Sequence, residues 1–411
     1  MNRFRYPFGL SFLAFLIGLP AALVAEEKAQ PRPASGANIH QRGSFQNARI
    51  RFEREKKGHV AFIGGSITEM NGYRPMVTAS LKRRFPQTKF TFTDAGIAST
   101  CSTTGAFRLK RHVLDKGPVD LFFVEFAVND DQDAAHARRE AIRGMEGIVR
   151  HTRRHNPMAD IVVTHFVNPP MLKTWQSGKT PLSVVAHEKM AKHYAISTIN
   201  LGKETASQIT AGSLSWRQYG GTHPKPHGNR LCAAMIDRLM DVAWKKPLAA
   251  DARRAAHPMP KQPIDAASYF RGRLIEPGNI EKHAKTLKGM TVQTPAWSKL
   301  KGACRSRFVK ETLLCADQPG AEMTLAFEGT AVGAYVLAGP DAGIVEASID
   351  GGKFRSVNLY HRFSRGLHYP RTVMFDAGLK QGRHTLRLRV SREKDARSLG
   401  HAMRALYFVA N

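Results

Sequence analysis

Beyond its first 25 residues, the 411-residue sequence has no apolar run that approaches the roughly 20 residues needed to span a bilayer. The longest run, Phe8–Leu19, follows Arg3 and Arg5 and leads through small residues to Ala25. A short apolar run behind a positive segment is typical of a secretory signal peptide. We therefore predict a signal peptide over 1–25, an exported (periplasmic or extracellular) protein, and no transmembrane segment after cleavage. An uncleaved membrane anchor is the alternative.

Cysteine is also scarce, with Cys101, Cys232, Cys304 and Cys315 as its four occurrences. Four cysteines allow three pairings, and the sequence does not choose among them. In an exported protein the closely spaced Cys304 and Cys315 are the best candidates for a disulfide. The alternative is that both are buried thiols.

Acidic residues are few: 33 Asp and Glu stand against 62 Lys and Arg, and the formal net charge is +29. A charge of this size attracts polyanions, including nucleic acid. The expected export argues against nucleic acid, and the basic residues are scattered in pairs such as Arg138-Arg139 and Arg153-Arg154, which is typical of solvated helix faces. We predict no nucleic-acid partner. Attraction to an anionic polysaccharide is the sharper alternative.

Internal repeats, low-complexity tracts and metal-binding motifs are absent from the sequence. His187 and Glu188 do not begin a zinc-binding HExxH motif, because the required second histidine is replaced by Ala191. We therefore predict neither a metal nor an organic cofactor.

The length favours two domains. Residues 26–57 are predicted as a leader segment, 58–245 as the first domain, 246–265 as a linker rich in Pro, Ala and charge, and 266–411 as a second domain. In the first domain, near-continuous apolar runs alternate with amphipathic segments, which predicts a doubly wound parallel sheet of the flavodoxin-like kind covered on both faces. The predicted strands are His59–Ile63, Lys89–Thr93, Val119–Phe126, Asp160–Val167 and Ile196–Leu201, and the predicted helices are 73–85, 103–116, 134–155, 183–193 and 226–243.

The second domain contains short alternating segments separated by turns, such as Asp350-Gly351-Gly352. This pattern predicts a β-sandwich. The predicted strands are Glu322–Phe327, Val332–Leu337, Val345–Ile349, Thr372–Phe375, Thr385–Val390 and Leu406–Val409.

Three segments of the first domain place candidate catalytic residues at the carboxyl ends of predicted strands. HVAFIGGSIT (59–68) places Ser66 after Gly64-Gly65, where the chain turns from a strand into a helix. KFTFTDAGIAST places Gly96, and VDLFFVEFAVND places Asn129, just after the next two strands. Since parallel strand ends share one edge of the sheet, we predict that Ser66, Gly96 and Asn129 meet and offer three donors to an oxyanion. The plain alternatives are a helix cap, a turn glycine and a turn asparagine.

The fourth segment, YGGTHPKPHGN (219–229), lies before the last predicted helix of the domain. A histidine in this loop could take the proton of Ser66, as a serine nucleophile requires. His223 is our candidate for the base, and His227 is the alternative.

Together these four blocks resemble the SGNH (GDSL-like) hydrolase family over about residues 58–245. The resemblance implies a serine ester hydrolase with Ser66 as nucleophile, His223 as base, and Ser66, Gly96 and Asn129 forming the oxyanion hole. One position departs from the family pattern, because Gly220 stands where the family usually has the aspartate that orients the histidine. A backbone carbonyl of the Gly220-Gly221 turn, or a carboxylate from Glu69, Asp130 or Glu188, could take its place.

The segment GTAVGAYVLAGPDAGIVEASIDGGKF resembles the jelly-roll or carbohydrate-binding-like β-sandwiches that follow exported SGNH esterases. A structural cap that shapes the catalytic cleft is the alternative for this domain. The resemblance implies removal of O-acyl groups, chiefly O-acetyl groups, from an extracellular polysaccharide. A non-catalytic glycan-binding pseudoenzyme and a lipid or aryl esterase are the competing interpretations.

Overall fold

The structure is a computed structural model that describes residues 36–280 and 284–411. The predicted signal peptide lies outside the described residues. Within these ranges, no helix has the length and apolar character needed to cross a membrane.

The first domain is built on a six-stranded sheet in the order β1-β6-β5-β4-β2-β3. Apart from the antiparallel edge strand β1, all neighbours are parallel, and their order is that of a flavodoxin-like sheet, as predicted. The strands are β1 (Ile39–His40), β2 (Lys57–Gly64), β3 (Lys89–Gly96), β4 (Leu121–Glu125), β5 (Asp160–Thr164) and β6 (Ser197–Ile199).

Helices cover both faces of this sheet. The consecutive residues Phe62 and Ile63 of β2 point to opposite faces of the sheet, and each packs into a different apolar cluster. The helices are α1 (Gln46–Glu53), α2 (Ser66–Glu69), α3 (Tyr73–Arg84), α4 (Ser102–His112), α5 (Ala127–Gln132), α6 (Arg138–His155), α7 (Pro169–Gln176), α8 (Leu182–His193), α9 (Leu201–Thr210), α10 (Trp216–Tyr219) and α11 (Pro226–Ala243).

Part of the predicted leader segment 26–57 belongs to this domain. Ile39 of β1 pairs with Ile199 of β6, and the backbone N–H of Ala48 in α1 donates to Asp160 Oδ2 at 2.8 Å. The predicted leader segment therefore contains β1 and α1, and both pack onto the domain predicted to begin at residue 58.

The linker predicted at 246–265 has no helix or strand but is fixed to the first domain. The buried guanidinium of Arg153 in α6 donates to the carbonyl of Pro258 at 3.2 Å, and Glu146 of the same helix accepts the N–H groups of Ile264 and Asp265 at 2.6 and 3.0 Å. Arg153 is only 3% exposed, so the prediction of a solvated basic pair is wrong at this position. The helix holds the linker because its basic and acidic side chains satisfy backbone groups of the chain that crosses it.

The second domain is an antiparallel β domain, as predicted. The segments predicted as four separate strands form two long ones, β11 and β14, which pair along their lengths with a register shift near Gly329. The strands are β7 (Arg273–Ile275), β8 (Ala284–Lys288), β9 (Thr291–Gln293), β10 (Leu313–Ala316), β11 (Glu322–Ala338), β12 (Ile344–Ile349), β13 (Arg355–Asn358), β14 (Tyr369–Val390) and β15 (Met403–Ala410).

The two domains share an apolar core. Phe107 of α4 packs against Tyr269, with ring centroids 4.8 Å apart and the rings tilted by 36°. Phe107 belongs to the same buried cluster as Tyr335 and Leu337 of β11 and Tyr407 of β15. Burying side chains of this size contributes roughly 1.5 to 3 kcal/mol each. The two domains are therefore held together by a shared buried apolar cluster as well as by the linker.

All four cysteines are free thiols, so the predicted disulfide between Cys304 and Cys315 is wrong. The sulfur of Cys315 lies 3.8 Å from the carbonyl oxygen of Leu313 within β10, whereas the sulfur of Cys304 lies 3.7 Å from that of Arg305. Each thiol is turned toward its own segment of backbone.

Candidate active site

Ser66 stands at the carboxyl end of β2 as the first residue of α2. Its sheet position is the switch point of the fold, because β3 lies on one side of β2 and β4 on the other. The turn before it requires glycine: a Cβ on Gly65 would lie 2.0 Å from Asn129 Oδ1. The sharp strand-to-helix turn therefore brings Ser66 directly beside the loop that carries Asn129.

His223 reaches Ser66 from the loop before α11. Its Nε2 lies 2.7 Å from Ser66 Oγ, a hydrogen-bonding distance. The loop is fixed below the exposed imidazole, since Lys225 N–H donates to the carbonyl of Tyr219 at 3.0 Å and the Asn229 amide donates to that of Pro224 at 2.6 Å. The structure thus brings the predicted nucleophile and base into contact.

His227, the alternative base, is the second residue of α11. Its Nε2 is buried without a hydrogen-bonding partner among the described residues, and it does not contact Ser66. Burial lowers its pKa from the ordinary value.

Gly96 is the last residue of β3, and Asn129 lies in α5 just after β4, so the two residues flank the carboxyl end of β2 from either side. The Gly96 N–H donates to Asp94 Oδ1 at 3.0 Å, and the Asn129 Nδ2 donates to Asp133 Oδ2 at 2.6 Å. Asn129 is 1% exposed, and its Oδ1 has no hydrogen-bonding partner among the described residues. One N–H of the Asn129 amide stays available, whereas the Gly96 N–H has an intramolecular acceptor in this state.

The β domain supplies two arginines to the rim of the site, which sequence reasoning missed. Arg305 donates to the carbonyl of Ala98 at 2.9 Å and to Ser99 Oγ at 2.8 Å. Arg307 donates to the carbonyl of Gly96 at 3.1 Å and pairs with Glu69. The loop that carries Gly96 is therefore held from the other domain, which no local pattern in the sequence could indicate.

A buried carboxyl group lies behind the nucleophile turn. Glu125, the last residue of β4, is fully buried, and its Oε2 lies 3.2 Å from Thr68 Oγ1 in α2. Burial raises the pKa of Glu125 to about 8, although the hydrogen bond from Thr68 lowers it in part. At neutral pH this group is mostly a neutral acid. An acidic residue at the end of an otherwise apolar strand was the sequence signal for it.

A buried cation lies under the same strand ends. Arg108 is fully buried in α4 and donates to the carbonyls of Ala95 at 2.6 Å and Gly64 at 3.0 Å. Burial lowers its pKa to about 10, so it stays charged at neutral pH. No carboxylate pairs with Arg108 in the part of the chain that the structure describes. It ties together the ends of β2 and β3, which carry Ser66 and Gly96.

None of the three carboxylates predicted as possible partners of His223 contacts it. Glu69 accepts the Ala98 N–H at 3.0 Å and pairs with Arg307. Asp130 accepts hydrogen bonds from the Ser102 N–H and from His187 Nε2, both at 2.8 Å. Glu188 pairs with His165 Nε2 at 3.1 Å and with Arg42 at 2.7 Å. Burial alone would raise the pKa of Asp130 and of Glu188, but the histidine hydrogen bonds and nearby positive charges hold both below their ordinary values.

The His223 Nδ1 has no hydrogen-bonding partner among the described residues, including the carbonyls of the Gly220-Gly221 turn. Gly220 has φ +107°, and a Cβ at this position would lie 2.2 Å from the Lys225 backbone nitrogen. The loop conformation therefore excludes any side chain at position 220, including the aspartate of the family pattern.

Residues 62–231 match the GDSL-like Lipase/Acylhydrolase family. No curated protein sequence matches the chain. Among solved structures, the chain is similar to a two-domain esterase (CEX) active on acetylated mannans, co-crystallized with mannopentaose, at 20% identity and a TM-score of 0.71, covering 91% of this chain and 96% of that one. This likeness shows the same two-domain fold.

A catalytic mutant of Axe2, an acetylxylan esterase from Geobacillus stearothermophilus, is similar over a smaller part of the chain. The identity is 15% and the TM-score 0.37, covering 44% of this chain and 94% of that one.

Proposed function

We propose that this chain is a serine esterase that removes O-acyl groups, above all O-acetyl groups, from an extracellular polysaccharide. Residues 62–231 match the GDSL-like Lipase/Acylhydrolase family, which supports this proposal. The observation that carries the proposal is the 2.7 Å contact between Ser66 Oγ and His223 Nε2 at the switch point of the sheet. A serine hydroxyl and an imidazole at this distance are the parts needed to form and break an acyl-enzyme.

In the proposed reaction, His223 Nε2 takes the proton of Ser66 as Oγ attacks the ester carbonyl. The tetrahedral intermediate collapses when the protonated imidazole gives its proton to the leaving alcohol of the sugar. Water then attacks the acyl group while His223 accepts a proton from it, and the proton returns to Ser66 Oγ as the acid departs.

The oxyanion would be held by the N–H of Ser66, the N–H of Gly96 and the amide of Asn129. Ser66 is the first residue of α2, so its N–H has no acceptor within the helix. For Gly96 to contribute, its N–H must leave Asp94 Oδ1 when substrate binds. Such tightening on binding is common, because catalytic hydrogen bonds are often incomplete without substrate.

We propose that His223 acts without a carboxylate on Nδ1. The nearby candidate acids hold other partners, and the positive φ of Gly220 excludes a side chain there. An aspartate in this role fixes the tautomer and stabilises the imidazolium, so a dyad that lacks it is expected to be slower. The rigid loop around Pro224 supplies part of the lost orientation by holding the imidazole over Ser66.

Three observations support an acetylated polysaccharide as the substrate. The similar two-domain structure is an esterase active on acetylated mannans. The β domain contributes Arg305 and Arg307 to the rim of the site, so a long polymer would meet both domains at once. The predicted signal peptide would bring the enzyme to polysaccharides outside the cytoplasm, and the formal charge of +29 favours acidic ones.

The test is acetate release by the purified protein from acetylated mannan, acetylated xylan and an acetylated uronate-containing polysaccharide. Ser66→Ala and His223→Ala should each abolish release, by on the order of 10,000-fold or more. His227→Ala and Ser177→Ala are matched controls, since neither residue contacts the Ser66–His223 pair, and both should stay active. Loss of activity in His227→Ala with retention in His223→Ala would reverse the assignment of the base.

Two further measurements separate the competing functions. A fluorophosphonate probe should label wild type and not Ser66→Ala; a folded protein that binds glycan but resists labelling would be the pseudoenzyme. A series of p-nitrophenyl esters should favour acetate, and a preference for long acyl chains would indicate a lipid or aryl esterase.

A further inference from the structure

Three side chains with metal-ligating atoms lie together outside the Ser66 site. They are Cys101, Asp130 and His136, whose ligand atoms all lie within 4.8 Å of one another. The closest charged pair is His136 Nε2 and Asp130 Oδ1, at 3.9 Å. Cys101 and Asp130 are buried, and the His136 side chain is 14% exposed. The proposed esterase chemistry uses none of the three.

We propose that Cys101, Asp130 and His136 bind one zinc ion. Thiolate, imidazole and carboxylate are all zinc ligands, and the sulfur and nitrogen atoms disfavour calcium and magnesium, which prefer oxygen. Three protein ligands with a fourth position open are a common zinc arrangement. No sequence motif indicates this site, because Cys101 precedes α4 whereas Asp130 lies in α5 and His136 in the loop that follows α5.

The geometry favours a metal over a second catalytic relay. In a Cys–His–Asp relay, the two ring nitrogens face opposite partners. Here a single nitrogen, His136 Nε2, faces Asp130 at 3.9 Å and Thr103 Oγ1 at 2.9 Å. Ligand atoms bound to one zinc ion at about 2.0 to 2.3 Å lie roughly 3.3 to 3.8 Å apart. The observed separations need only a small closure of the loop that carries His136.

Asp130 is oriented as ligating carboxylates usually are. Its Oδ1 accepts the Ser102 N–H at 2.8 Å, and its Oδ2 accepts the Ser102 hydroxyl at 2.7 Å and His187 Nε2 at 2.8 Å. Outer hydrogen bonds of this kind fix ligands before the metal arrives. The fully buried His187, which does not belong to an HExxH motif, would thus act by orienting the Asp130 carboxylate.

A cavity of about 270 Å³ between the two domains adjoins the cluster and gives space for a fourth ligand such as water. Cys101 and His136 line it together with Glu140 from α6 and Arg371 from β14. A thiolate and a carboxylate balance the charge of Zn²⁺, so the ion and its three ligands would together carry no net charge in this buried region.

Bound zinc would join the loop between β3 and α4, through Cys101, to the loop between α5 and α6, through His136. Asp130 directly follows Asn129, so the ion would also stiffen the segment that carries this predicted oxyanion donor. The binding and the stabilisation are properties of the folded protein and do not depend on the proposed esterase activity.

The first experiment is a zinc titration of the chelator-treated, purified protein, followed by calorimetry. Wild type should bind one zinc ion per chain, and Cys101→Ser and His136→Ala should each weaken binding by at least about 100-fold. Cys304→Ser is the matched control: it removes a thiol that lies outside the cluster, and it should bind like wild type. Equal affinity in Cys101→Ser, or no binding by wild type, would overturn the proposal.

A second readout keeps the test valid if a variant is less stable. Cobalt(II) should give a near-ultraviolet sulfur-to-metal charge-transfer band in wild type and in Cys304→Ser, and no such band in folded Cys101→Ser. Zinc should raise the Tm of the first two proteins only. A band that is lost in Cys304→Ser instead would place the metal elsewhere and contradict the assignment.

Discussion

The imidazole of His223 lies with Nε2 2.7 Å from Ser66 Oγ, while its other nitrogen has no partner among the described residues. The reason that Nδ1 has no aspartate partner lies three residues earlier, at Gly220. Its backbone has a positive φ, and a Cβ at this position would collide with the Lys225 backbone nitrogen, so the observed loop has no room for a side chain there.

Gly220→Asp should therefore fail to complete a triad. Positive φ costs a side chain roughly 1 to 2 kcal/mol, and the contact with Lys225 adds to that cost and displaces the loop of His223. We expect a lower Tm and at least a roughly 10-fold lower kcat/KM. Gly221→Asp is the matched control, because Gly221 has φ +94° but nothing within 4 Å of its Cβ position; it should lose stability only. A rise in kcat for Gly220→Asp would contradict this account.

Asn129→Ala should lower kcat by about 100- to 1,000-fold with little change in KM, because the amide is proposed to meet the oxyanion and not the ground-state ester. Steady-state kinetics on a soluble acetate ester measure both parameters. Asn358→Ala is the control, since that amide also donates to a carboxylate, Asp395 Oδ2 at 2.8 Å, but in the β domain. A change confined to KM would remove Asn129 from the oxyanion hole.

Glu125 should make stability depend on pH. Its pKa of about 8 lies above the ordinary value of 4.5 because the group is buried. Between these values the folded protein holds a proton that the unfolded chain has lost, so the group lowers the free energy of unfolding as pH rises through this window. Wild type should lose on the order of 4 kcal/mol relative to Glu125→Gln between about pH 4.5 and 8.

Thermal or denaturant unfolding of both proteins at several pH values measures this difference. Glu328→Gln, at an exposed position of β11, controls for the loss of one acidic group. Parallel pH profiles for wild type and Glu125→Gln would show that the buried carboxyl does not titrate as described.

Arg307→Ala, a substitution in the β domain, should lower kcat/KM at the Ser66 site of the first domain. The guanidinium holds the Gly96 carbonyl and Glu69 but is 38% exposed, so solvent limits the contact to about 1 kcal/mol, or roughly 5-fold in rate. The comparison is with Arg355→Ala, whose arginine is 72% exposed and pairs within the β domain. Equal kcat/KM values for the two variants would show that the β domain does not position the loop of Gly96.

The sheet was predictable because its signals are local. β4 and β5 are buried at every residue, which matches their largely apolar sequences. α7 and α9 were missed, although Asn168 and Asn200 cap them by accepting the N–H groups of Met171 and Lys203. β1 was missed because a two-residue strand has no periodicity to read.

The site was predictable only as far as its motifs reach. Ser66 and His223 stand in recognisable blocks, and the fold brings them together. The partners of Glu69, Asp130 and Glu188 arise from contacts with distant segments, such as Arg307 and Arg42, which no local pattern specifies. The same limit applies to Cys304 and Cys315, whose spacing in sequence did not decide where their sulfurs point.

Phe107 of the first domain is buried in one cluster with Tyr335 and Tyr407 of the β domain, so neither domain can be removed without exposing aromatic side chains. A chain cut after α11 would expose that aromatic surface to water and lose the two arginines that hold the loop of Gly96. Replacing the β domain with another would require redesigning the contacting surfaces of both domains together. The two domains therefore cannot be exchanged independently of each other.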